Sequence, residues 1–373
     1  MQTTAQQPGD DGSAGERPLR RGWTTGTCAT AAAAAAFEAL LTGAFPDPVT
    51  VTLPRGGLAT LPLARAELRA GQATAGIVKD AGDDPDVTHG ALVTATLVPA
   101  APGSGVVFRA GAGVGTVTLP GLPIPPGEPA INPGPRAMMT AALTAIAAAH
   151  GISADAVVTV AVEGGAALAE KTLNGRLGIK GGLSILGTTG VVVPFSCAAW
   201  IHSIFRGIDV ARAAGLTHLV AATGSTSEAA VRTLMDLPEQ ALIDMGDFAG
   251  GTLKYLRTHP VPRLTLAGGF AKLVKLAQGH LFLHSAKSKV DVPALAARLA
   301  GLGAPPPAVA DATAAGSAAQ VLAIATAYGV PLADHIAAGA QGTARSLLST
   351  QTAVAVLVFD RAGRLIGRAG PDG

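Results

Sequence analysis

The alternation of helical and strand segments in the second half of the chain restricts the possible folds more than any other feature. The predicted elements, helices and strands in turn, are 198–214, 219–222, 229–235, 241–243, 248–257 and 264–267. Strands separated by helices in this way are typical of an open, mostly parallel sheet. Ligands of such sheets bind at the carboxyl ends of the strands, so the turns at 223–228 and 268–269 are predicted to bind a cofactor. Two Ala-rich helices and a strand at 353–359 are predicted to complete this α/β domain, placed at 191–373.

The first half has a different pattern, which predicts a separate α+β domain over residues 19–190. Strands are predicted at 49–53, 74–79, 91–98, 105–110 and 157–163, with helices at 29–41 and 136–149. A chain of 373 residues is long enough for two domains. Aromatic residues make up only 3%, so the cores must consist mainly of Ala, Val, Leu and Ile.

Charge, cysteine content and the first residues argue against several classes of protein. The net charge of +2 argues against a dedicated nucleic-acid binder. The two cysteines, Cys28 and Cys197, are too few for a disulfide framework or a Cys-based zinc site. Residues 1–18 are polar and predict a disordered tail instead of a signal peptide, and no segment predicts a membrane span. We therefore expect a cytoplasmic protein.

An Asp-rich segment, Lys79-Asp80-Ala81-Gly82-Asp83-Asp84-Pro85-Asp86-Val87-Thr88-His89-Gly90, stands out in a chain that is only 14% charged. Neighbouring carboxylates repel one another unless they bind cations, backbone N–H groups or ligand hydroxyls. Gly82, Pro85 and Gly90 predict turns, so the Asp side chains are expected to project from a loop. A ligand site and an Asp-rich capping turn on the surface are both compatible with this pattern.

Two turns are predicted to lead into helix N-termini, where free N–H groups favour an anion. The first is Thr24-Thr25-Gly26-Thr27-Cys28, for which simple capping by Thr25 or Thr27 is the alternative. The second is Asn132-Pro133-Gly134-Pro135-Arg136, in which Asn132 is expected to cap the helix or meet a ligand. Arg136 is a candidate anion ligand, because a cation in the first turn opposes the helix dipole.

Two segments of the chain, residues 111–117 and 171–190, are rich in glycine. Residues 111–117 lack the Gly-Lys-Ser/Thr of a P-loop, and their pattern predicts a hairpin or a bulge. Residues 171–190 form a long loop that contains Arg176 and many glycines. Loops of this kind usually serve binding, because each ordered glycine costs more backbone entropy than other residues do.

Residues 251–290 contain no Asp or Glu and form a basic stretch. Its cationic and histidine side chains are Lys254, Arg257, Arg263, Lys272, Lys275, Lys287, Lys289, His259, His280 and His284. His280 and His284 have the spacing of a two-His metal site, but no Glu lies between them, so no metal is predicted. An anion-binding patch is the favoured interpretation, and a solvated basic face is the alternative.

Taken together, these motifs resemble the family of cobalt-precorrin-5B C1-methyltransferases of anaerobic-type cobalamin biosynthesis. The resemblance runs over about residues 20–290. The segments that carry it are Arg21-Gly22-Trp23-Thr24-Thr25-Gly26-Thr27-Cys28-Ala29-Thr30, 79–90, 113–115, 127–133, 182–190, 272–280 and His284-Ser285.

The resemblance implies transfer of a methyl group from S-adenosylmethionine to C1 of cobalt-precorrin-5B, which gives cobalt-precorrin-6A. Cobalt would enter only as part of this contracted tetrapyrrole substrate. The resemblance also implies a first domain similar to the second domain of ribosomal protein S5, followed by an α/β domain. A homo-oligomer or transient contacts with neighbouring pathway enzymes are expected options, and neither nucleic acid nor a membrane is expected as a partner.

Predicted site residues follow from combining this resemblance with the motifs. The predicted substrate-binding residues are Thr24, Thr25, Asn132, Arg136, Arg176, Lys272, Lys275, His280, His284 and Lys287. The many substrate carboxylates are assigned first to the members from the basic stretch, with Arg136 and Arg176 as further candidates. Asp83, Asp84 or Asp86 is predicted to bind the ribose hydroxyls and ammonium of the methyl donor. The carboxylate of the methyl donor is predicted to bind at the helix N-terminus formed by Thr223, Gly224, Ser225 and Thr226. Any base for a ring proton is predicted to be His89 or Asp80. The sequence leaves open which domain holds the donor.

Two other function classes fit parts of the sequence. A phosphotransferase is suggested by the Gly-rich loops and by the S5-like domain that some small-molecule kinases share, although the P-loop lysine is absent. A non-catalytic tetrapyrrole carrier would bind the macrocycle without a saturable site for the methyl donor.

Overall fold

The structure is a computed structural model that describes residues 18–371, so residues 1–17 of the predicted tail lie outside the described residues. None of the helices in this range is long and apolar enough to cross a membrane. We call residues 18–192 the N-terminal unit and residues 197–371 the C-terminal unit, joined by a linker at 193–196.

The N-terminal unit contains many short strands and three helices in the described range. The strands are β1 (Gly22–Trp23), β2 (Val49–Thr52), β3 (Leu58–Leu61), β4 (Arg65–Arg69), β5 (Gln72–Val78), β6 (Leu92–Pro99), β7 (Val106–Ala110), β8 (Thr116–Val117), β9 (Ala156–Val162), β10 (Ile179–Lys180) and β11 (Val191–Val192). The helices are α1 (Thr25–Thr42), α2 (Pro133–Ala149) and α3 (Gly165–Ala169).

A five-stranded sheet of order β4-β5-β6-β9-β7 forms the centre of this unit. β7 and β9 are parallel, and the other neighbours are antiparallel. α1 lies between this sheet and α2, and its alanine run is buried. A helix that is apolar on all sides is stable only when it is enclosed, and alanine allows the surrounding elements to approach closely.

The glycine-rich segment 111–117 forms neither the predicted hairpin nor a bulge. Val114 forms a parallel bridge with Leu183, and Leu183 N donates a hydrogen bond to Gly113 O at 2.9 Å. A Cβ atom on Gly113 would lie 2.1 Å from Val162 O. These glycines therefore allow two backbone segments to cross at close range, which short-range sequence patterns do not reveal.

The C-terminal unit is a sheet with helices on both faces. Its strands are β12 (His218–Ala222), β13 (Leu242–Asp244), β14 (Arg263–Gly269), β15 (Ala353–Phe359) and β16 (Leu365–Ala369). Its helices are α4 (Cys197–Ala213), α5 (Ser225–Leu234), α6 (Ala249–Thr258), α7 (Phe270–Ala277), α8 (Val292–Gly301), α9 (Pro306–Thr313), α10 (Ala318–Ala327) and α11 (Leu332–Leu347), with a 3-10 turn at Glu239–Ala241.

The sheet order is β13-β12-β14-β15-β16, and only β16 is antiparallel to its neighbour. Leu219 and Ala221 belong to the core that includes residues of α4, α6, α7 and α11, whereas Val220 and Ala222 belong to the core beside α5. The prediction of an open, mostly parallel sheet is confirmed.

The end of the chain differs from the prediction in two ways. Four helices, α8 to α11, stand in the described range where two were predicted, and β16 follows the predicted final strand. Gly301, Gly303 and the prolines at 305–307 divide the Ala-rich region into short helices, and proline is favoured at the start of a helix.

A strand pair fixes the end of the N-terminal unit, and an ion pair joins the two units. β11 pairs with β1, so residues 191–192 pack with the N-terminal unit. Arg176 of the N-terminal unit forms an ion pair with Glu228 of α5, with Arg176 Nη1 at 3.0 Å from Glu228 Oε2. The predicted domain boundary at residue 190 stays a prediction.

Candidate active site

The Asp-rich loop, residues 79–90, follows β5 and packs against β1. Trp23 N donates to Asp80 O at 2.7 Å. A Cβ atom on Gly22 would lie 2.1 Å from the carbonyl carbon of Ala81, so only glycine permits this contact. The loop is therefore held by backbone packing as well as by its side chains.

Asp86 is the partner of a buried lysine. Lys79 Nζ lies 2.6 Å from Asp86 Oδ2, and the Lys79 side chain is 1% exposed. Thr88 donates to Asp86 Oδ1 from its backbone N at 2.7 Å and from Oγ1 at 2.6 Å. Burial alone would raise the pKa of Asp86, but the hydrogen bond and charge of Lys79 outweigh it and lower the pKa. The structure favours a structural role for Asp86 over the predicted donor contact.

The geometry around Asp80 and His89 does not favour either residue as a base. A bidentate contact with Arg20, together with the Gly82 N–H, lowers the pKa of Asp80 to about 2. His89 Nδ1 accepts a hydrogen bond from Ala81 N at 3.1 Å. This contact places the proton of the neutral ring on Nε2, so His89 presents a donor to solvent.

Asp83 and Asp84 also accept hydrogen bonds from the protein backbone. Arg20 N donates to Asp83 Oδ2 at 2.6 Å, and Phe195 N of the linker donates to Asp84 Oδ1 at 2.8 Å. The four Asp side chains of the loop thus all have protein partners. This pattern matches the capping alternative, and the predicted donor contacts of Asp83 and Asp84 stay predictions.

The N-termini of α1 and α2 meet the loop at residues 185–190. Thr24 caps α1 by accepting from Thr27 N at 3.2 Å, and Gly26 N donates to Leu186 O at 2.8 Å. Thr25 is buried. The N–H groups that an anion at Thr24 and Thr25 would need are thus already hydrogen-bonded to protein atoms.

Asn132 and Arg136 at the start of α2 are bound to backbone carbonyls. Asn132 Nδ2 donates to Ile185 O at 3.2 Å and does not cap its own helix. Arg136 donates to Ile131 O at 2.8 Å and lies 3.2 Å from Glu128, with its guanidinium 5.5 Å from the centre of the Phe108 ring. Both side chains hold the turn that precedes α2.

The carboxyl ends of the parallel strands form a second cluster of polar groups. The chain leaves β12 towards β13 on one side and leaves β14 towards β15 on the other, so the topological switch point lies between β12 and β14. Thr223 follows β12 and donates from its N to Ala267 O at 2.9 Å. Gly224 is the N-cap residue of α5 and has no side chain that could cap the helix. This is the place where ligands of open α/β sheets bind.

Charged groups surround this switch point. Lys272 Nζ donates to Thr223 O at 2.5 Å and forms an ion pair with Asp247, with Nζ 3.1 Å from Oδ1. Asp247 Oδ1 is buried and has no hydrogen-bond partner among residues 18–371. Burial, followed by the charge of Glu228, raises the pKa of Asp244 at the end of β13. We call Thr223, Gly224, Asp244, Asp247 and Lys272 the strand-end site.

Besides Lys272, four of the predicted substrate ligands lie in the basic stretch, and they differ in exposure. Lys275 is buried and donates to Leu283 O at 2.7 Å, so its predicted contact with substrate is not available in this structure. Burial lowers the pKa of Lys275. His280 is half-buried, whereas His284 and Lys287 are exposed on the loop that follows. Within residues 18–371, no three His, Cys, Asp or Glu side chains are grouped to hold a metal ion.

Asp244 and Asp247 were not among the site residues predicted from the sequence. Both follow the predicted strand 241–243, at the same edge of the sheet as the turn 223–228 that was singled out. The rule about carboxyl ends of parallel strands could have identified them, but the glycine and threonine content of 223–228 was the more visible signal.

Known proteins are similar to this chain over most of its length. The CbiD family profile matches residues 13–194, and the profile described as CbiD, C-terminal domain, matches residues 282–370. A cobalt-precorrin-5B C(1)-methyltransferase of Bradyrhizobium sp. is 62% identical over 353 residues, 94% of each chain. The protein of the same name from Rhodospirillum rubrum is 59% identical over 355 residues, covering 95% of this chain and 98% of that one.

A solved structure is also similar to this chain. It is the crystal structure of a cobalamin biosynthesis protein (cbiD) from Archaeoglobus fulgidus, which is 28% identical. The match covers 69% of this chain and 79% of that chain, with a TM-score of 0.38.

Proposed function

The chain belongs to the CbiD family, and we propose that its methyl donor is S-adenosylmethionine, bound at the strand-end site. The chain is a methyltransferase of cobalamin biosynthesis that acts at C1 of cobalt-precorrin-5B, as its close relatives are named. The alternatives of a phosphotransferase and of a non-catalytic carrier are therefore set aside.

The buried Oδ1 of Asp247, which contacts the Lys272 ammonium at 3.1 Å but has no hydrogen-bond partner among residues 18–371, is the observation that carries this donor site. A buried acceptor without a hydrogen bond costs free energy unless a ligand supplies a donor. The ribose hydroxyls and the ammonium of S-adenosylmethionine are such donors. Asp244 at the end of β13 and Asp247 three residues later provide carboxylates for them, and this fits the chemistry of the donor.

S-adenosylmethionine also carries a carboxylate, which needs N–H donors or a cation as partners. Gly224, Ser225 and Thr226 begin α5, whose first N–H groups and dipole favour an anion. Lys272 adds a cation beside Thr223. In this arrangement the predicted role of Thr223–Thr226 is kept, and Asp244 and Asp247 take the role that the sequence assigned to the Asp-rich loop.

The bound donor supplies a methyl group on a sulfonium that is already a leaving group, so the protein must mainly align and shield the reactants. The donor would be oriented by the carboxylates of Asp244 and Asp247. The backbone oxygen of Thr223, which accepts a hydrogen bond from the ammonium of Lys272, would also orient it. His280, His284 and Lys287 stay predicted ligands of substrate carboxylates, whereas Lys272, which was predicted with them, is assigned here to the donor. Arg176 is engaged by Glu228 and holds the two units together instead.

Several finer features are part of this proposal. We propose that residues 19–190 form a domain similar to the second domain of ribosomal protein S5, and the parallel pair β7 and β9 joined through α2 supports this. The two separate cores, one containing Ile185 and the other beginning at Ile204, support a domain boundary near residue 190. A cytoplasmic location, a homo-oligomer and contacts with neighbouring pathway enzymes stay predictions.

The proposal is tested by incubating the purified protein anaerobically with cobalt-precorrin-5B and S-adenosylmethionine and recording the product mass. We expect a gain of one methylene unit that depends on the donor. The variant Asp247→Asn should need a higher donor concentration for half-maximal rate, whereas Asp83→Asn should behave as the unmodified protein. A donor-independent product, or a donor requirement that only Asp83→Asn changes, would contradict the proposal.

A further inference from the structure

A row of aromatic rings lies beside the strand-end site and is partly open to solvent. Ring centroids are 6.3 Å apart for Trp200 and Phe248, 5.2 Å for Phe248 and Phe282, and 6.1 Å for Phe282 and His284. Trp200 and His284 are exposed, and the two phenylalanines are half-buried. We call these four residues the aromatic row. Since only 3% of the chain is aromatic, this concentration of rings needs an explanation.

The aromatic row is continuous with the strand-end site through the turn after β13. Phe248 directly follows Asp247, and Leu283 N donates to Asp247 O at 2.9 Å. Gly246 has a φ of 56°, and a Cβ atom there would lie 3.4 Å from Trp200 Nε1. The indole therefore lies against the backbone of this turn, and a ligand on the row would be adjacent to a donor at Asp244 and Asp247.

The linker that leads to Trp200 adds exposed apolar surface. The exposed fractions of Val193, Phe195 and Trp200 are 48%, 66% and 47%. Phe195 has a φ of 54°, which is uncommon for a bulky residue, and Asp84 accepts its N–H. Strained residues persist where the surroundings fix them, and they cluster at ligand clamps. A group of exposed apolar side chains also marks binding surfaces.

The charge around the aromatic row identifies the ligand class. His284 lies in the row, Lys287 and Lys289 are exposed on the same loop, and residues 251–290 contain no Asp or Glu. A conjugated macrocycle with carboxylate side chains matches such a surface, because its rings stack on aromatic side chains while its carboxylates pair with the cations. A second copy of this chain fits less well, since a symmetric contact would bring two basic loops together.

We propose that the aromatic row is the docking surface for the tetrapyrrole macrocycle, and that it presents the ring to the donor at the strand-end site. This inference rests on the proposed function and names residues that hold the substrate. Asp84 then acts as a positioning residue, because its carboxylate fixes the linker at Phe195. This gives the Asp-rich loop a part in substrate binding without direct contact with the donor.

The test is a titration of cobalt-precorrin-5B, followed anaerobically by its absorbance, with a parallel calorimetric titration of S-adenosylmethionine. Trp200→Ala should weaken macrocycle binding roughly tenfold, the size expected for loss of one stacking ring. Donor affinity should stay unchanged, and Trp200→Phe should recover most of the binding. Tyr328→Ala is the matched control, because Tyr328 is 45% exposed and lies in another part of the unit.

Each other outcome contradicts the aromatic row as the docking surface. Macrocycle binding that is equal in Trp200→Ala and the unmodified protein would overturn it, and so would macrocycle binding that is absent from the unmodified protein. A dimer that sedimentation velocity shows to dissociate in Trp200→Ala would assign the surface to a second copy of the chain. A failure of the proposed function would give a different result. No methylated product would form, but the macrocycle titration would still show whether Trp200 contributes to binding.

Discussion

The Asp-rich loop and the strand-end site both collect carboxylates, but these carboxylates bind different partners. In the loop, Asp86 faces Lys79 and Asp84 accepts the N–H of Phe195. At the strand ends, Asp247 Oδ1 is buried beside the ammonium of Lys272 but has no hydrogen bond among the described residues, and the pKa of Asp244 is raised by burial. The comparison teaches that a dense polar motif can be a scaffold, whereas unsatisfied polar groups indicate where a ligand belongs.

The largest effect is expected from Asp86→Ala, which tests the scaffold side of this comparison. It leaves the ammonium of Lys79, only 1% exposed, without its counter-ion. Loss of one partner of a buried pair costs roughly 3–5 kcal/mol of the free energy of unfolding. Urea unfolding followed by Trp23 fluorescence in a Trp200→Phe background measures this, because these are the two tryptophans of the chain.

The double variant Lys79→Met/Asp86→Leu is the matched control for that loss. It removes both charges, so most of the stability should return. An Asp86→Ala variant as stable as the unmodified protein would show that the ion pair does not hold the loop.

The pH dependence of the free energy of unfolding is a second test of the Lys79–Asp86 pair in the Asp-rich loop. The folded-state pKa of Asp86 is lowered, so its contribution is present above the unfolded value of about 3.9 and is lost as pH falls through the folded value. The N-terminal unit should therefore lose stability below about pH 4, and the double variant should show a shallower slope. Equal slopes for the two proteins would exclude this pair as the source of the acid sensitivity.

A smaller effect is expected from Arg176→Ala, which breaks a contact between the two units that contain these sites. Glu228 keeps Arg232 as a partner at 3.2 Å, so the loss should be about 1 kcal/mol. Single-tryptophan variants that retain Trp23 or Trp200 should then show unfolding midpoints that move apart. Midpoints that stay together would mean that other contacts couple the units.

The smallest effect is expected from His89→Ala. Since His89 Nδ1 accepts the N–H of Ala81, turnover should fall far less than the roughly 100-fold loss that follows removal of a general base. Steady-state rates at saturating donor and substrate measure this. A fall in turnover of about 100-fold, with unchanged substrate binding, would support the base role that the sequence predicts for His89.

The sequence predicted the parallel sheet because helices and strands there have clear periodicity and short connections. It did not predict the partners of the Asp-rich loop, because Asp84 and Phe195 are 111 residues apart and only tertiary packing brings them together. Lys275 was predicted to bind substrate carboxylates, but the backbone carbonyl of Leu283 gives its ammonium a buried partner. Charge and spacing identify which residues can bind ligands, whereas burial and competing partners decide which of them are free to do so.

The central claim is that the methyl donor binds at the strand ends and not at the Asp-rich loop. Calorimetric titration of S-adenosylmethionine into Asp244→Asn, Asp247→Asn and Asp83→Asn tests it most directly. Loss of a charged hydrogen-bond partner should weaken donor binding about 10- to 100-fold in the first two variants and leave it unchanged in the third. Unchanged affinity in Asp244→Asn and Asp247→Asn, with weakened binding in Asp83→Asn, would contradict the account and place the donor at the Asp-rich loop.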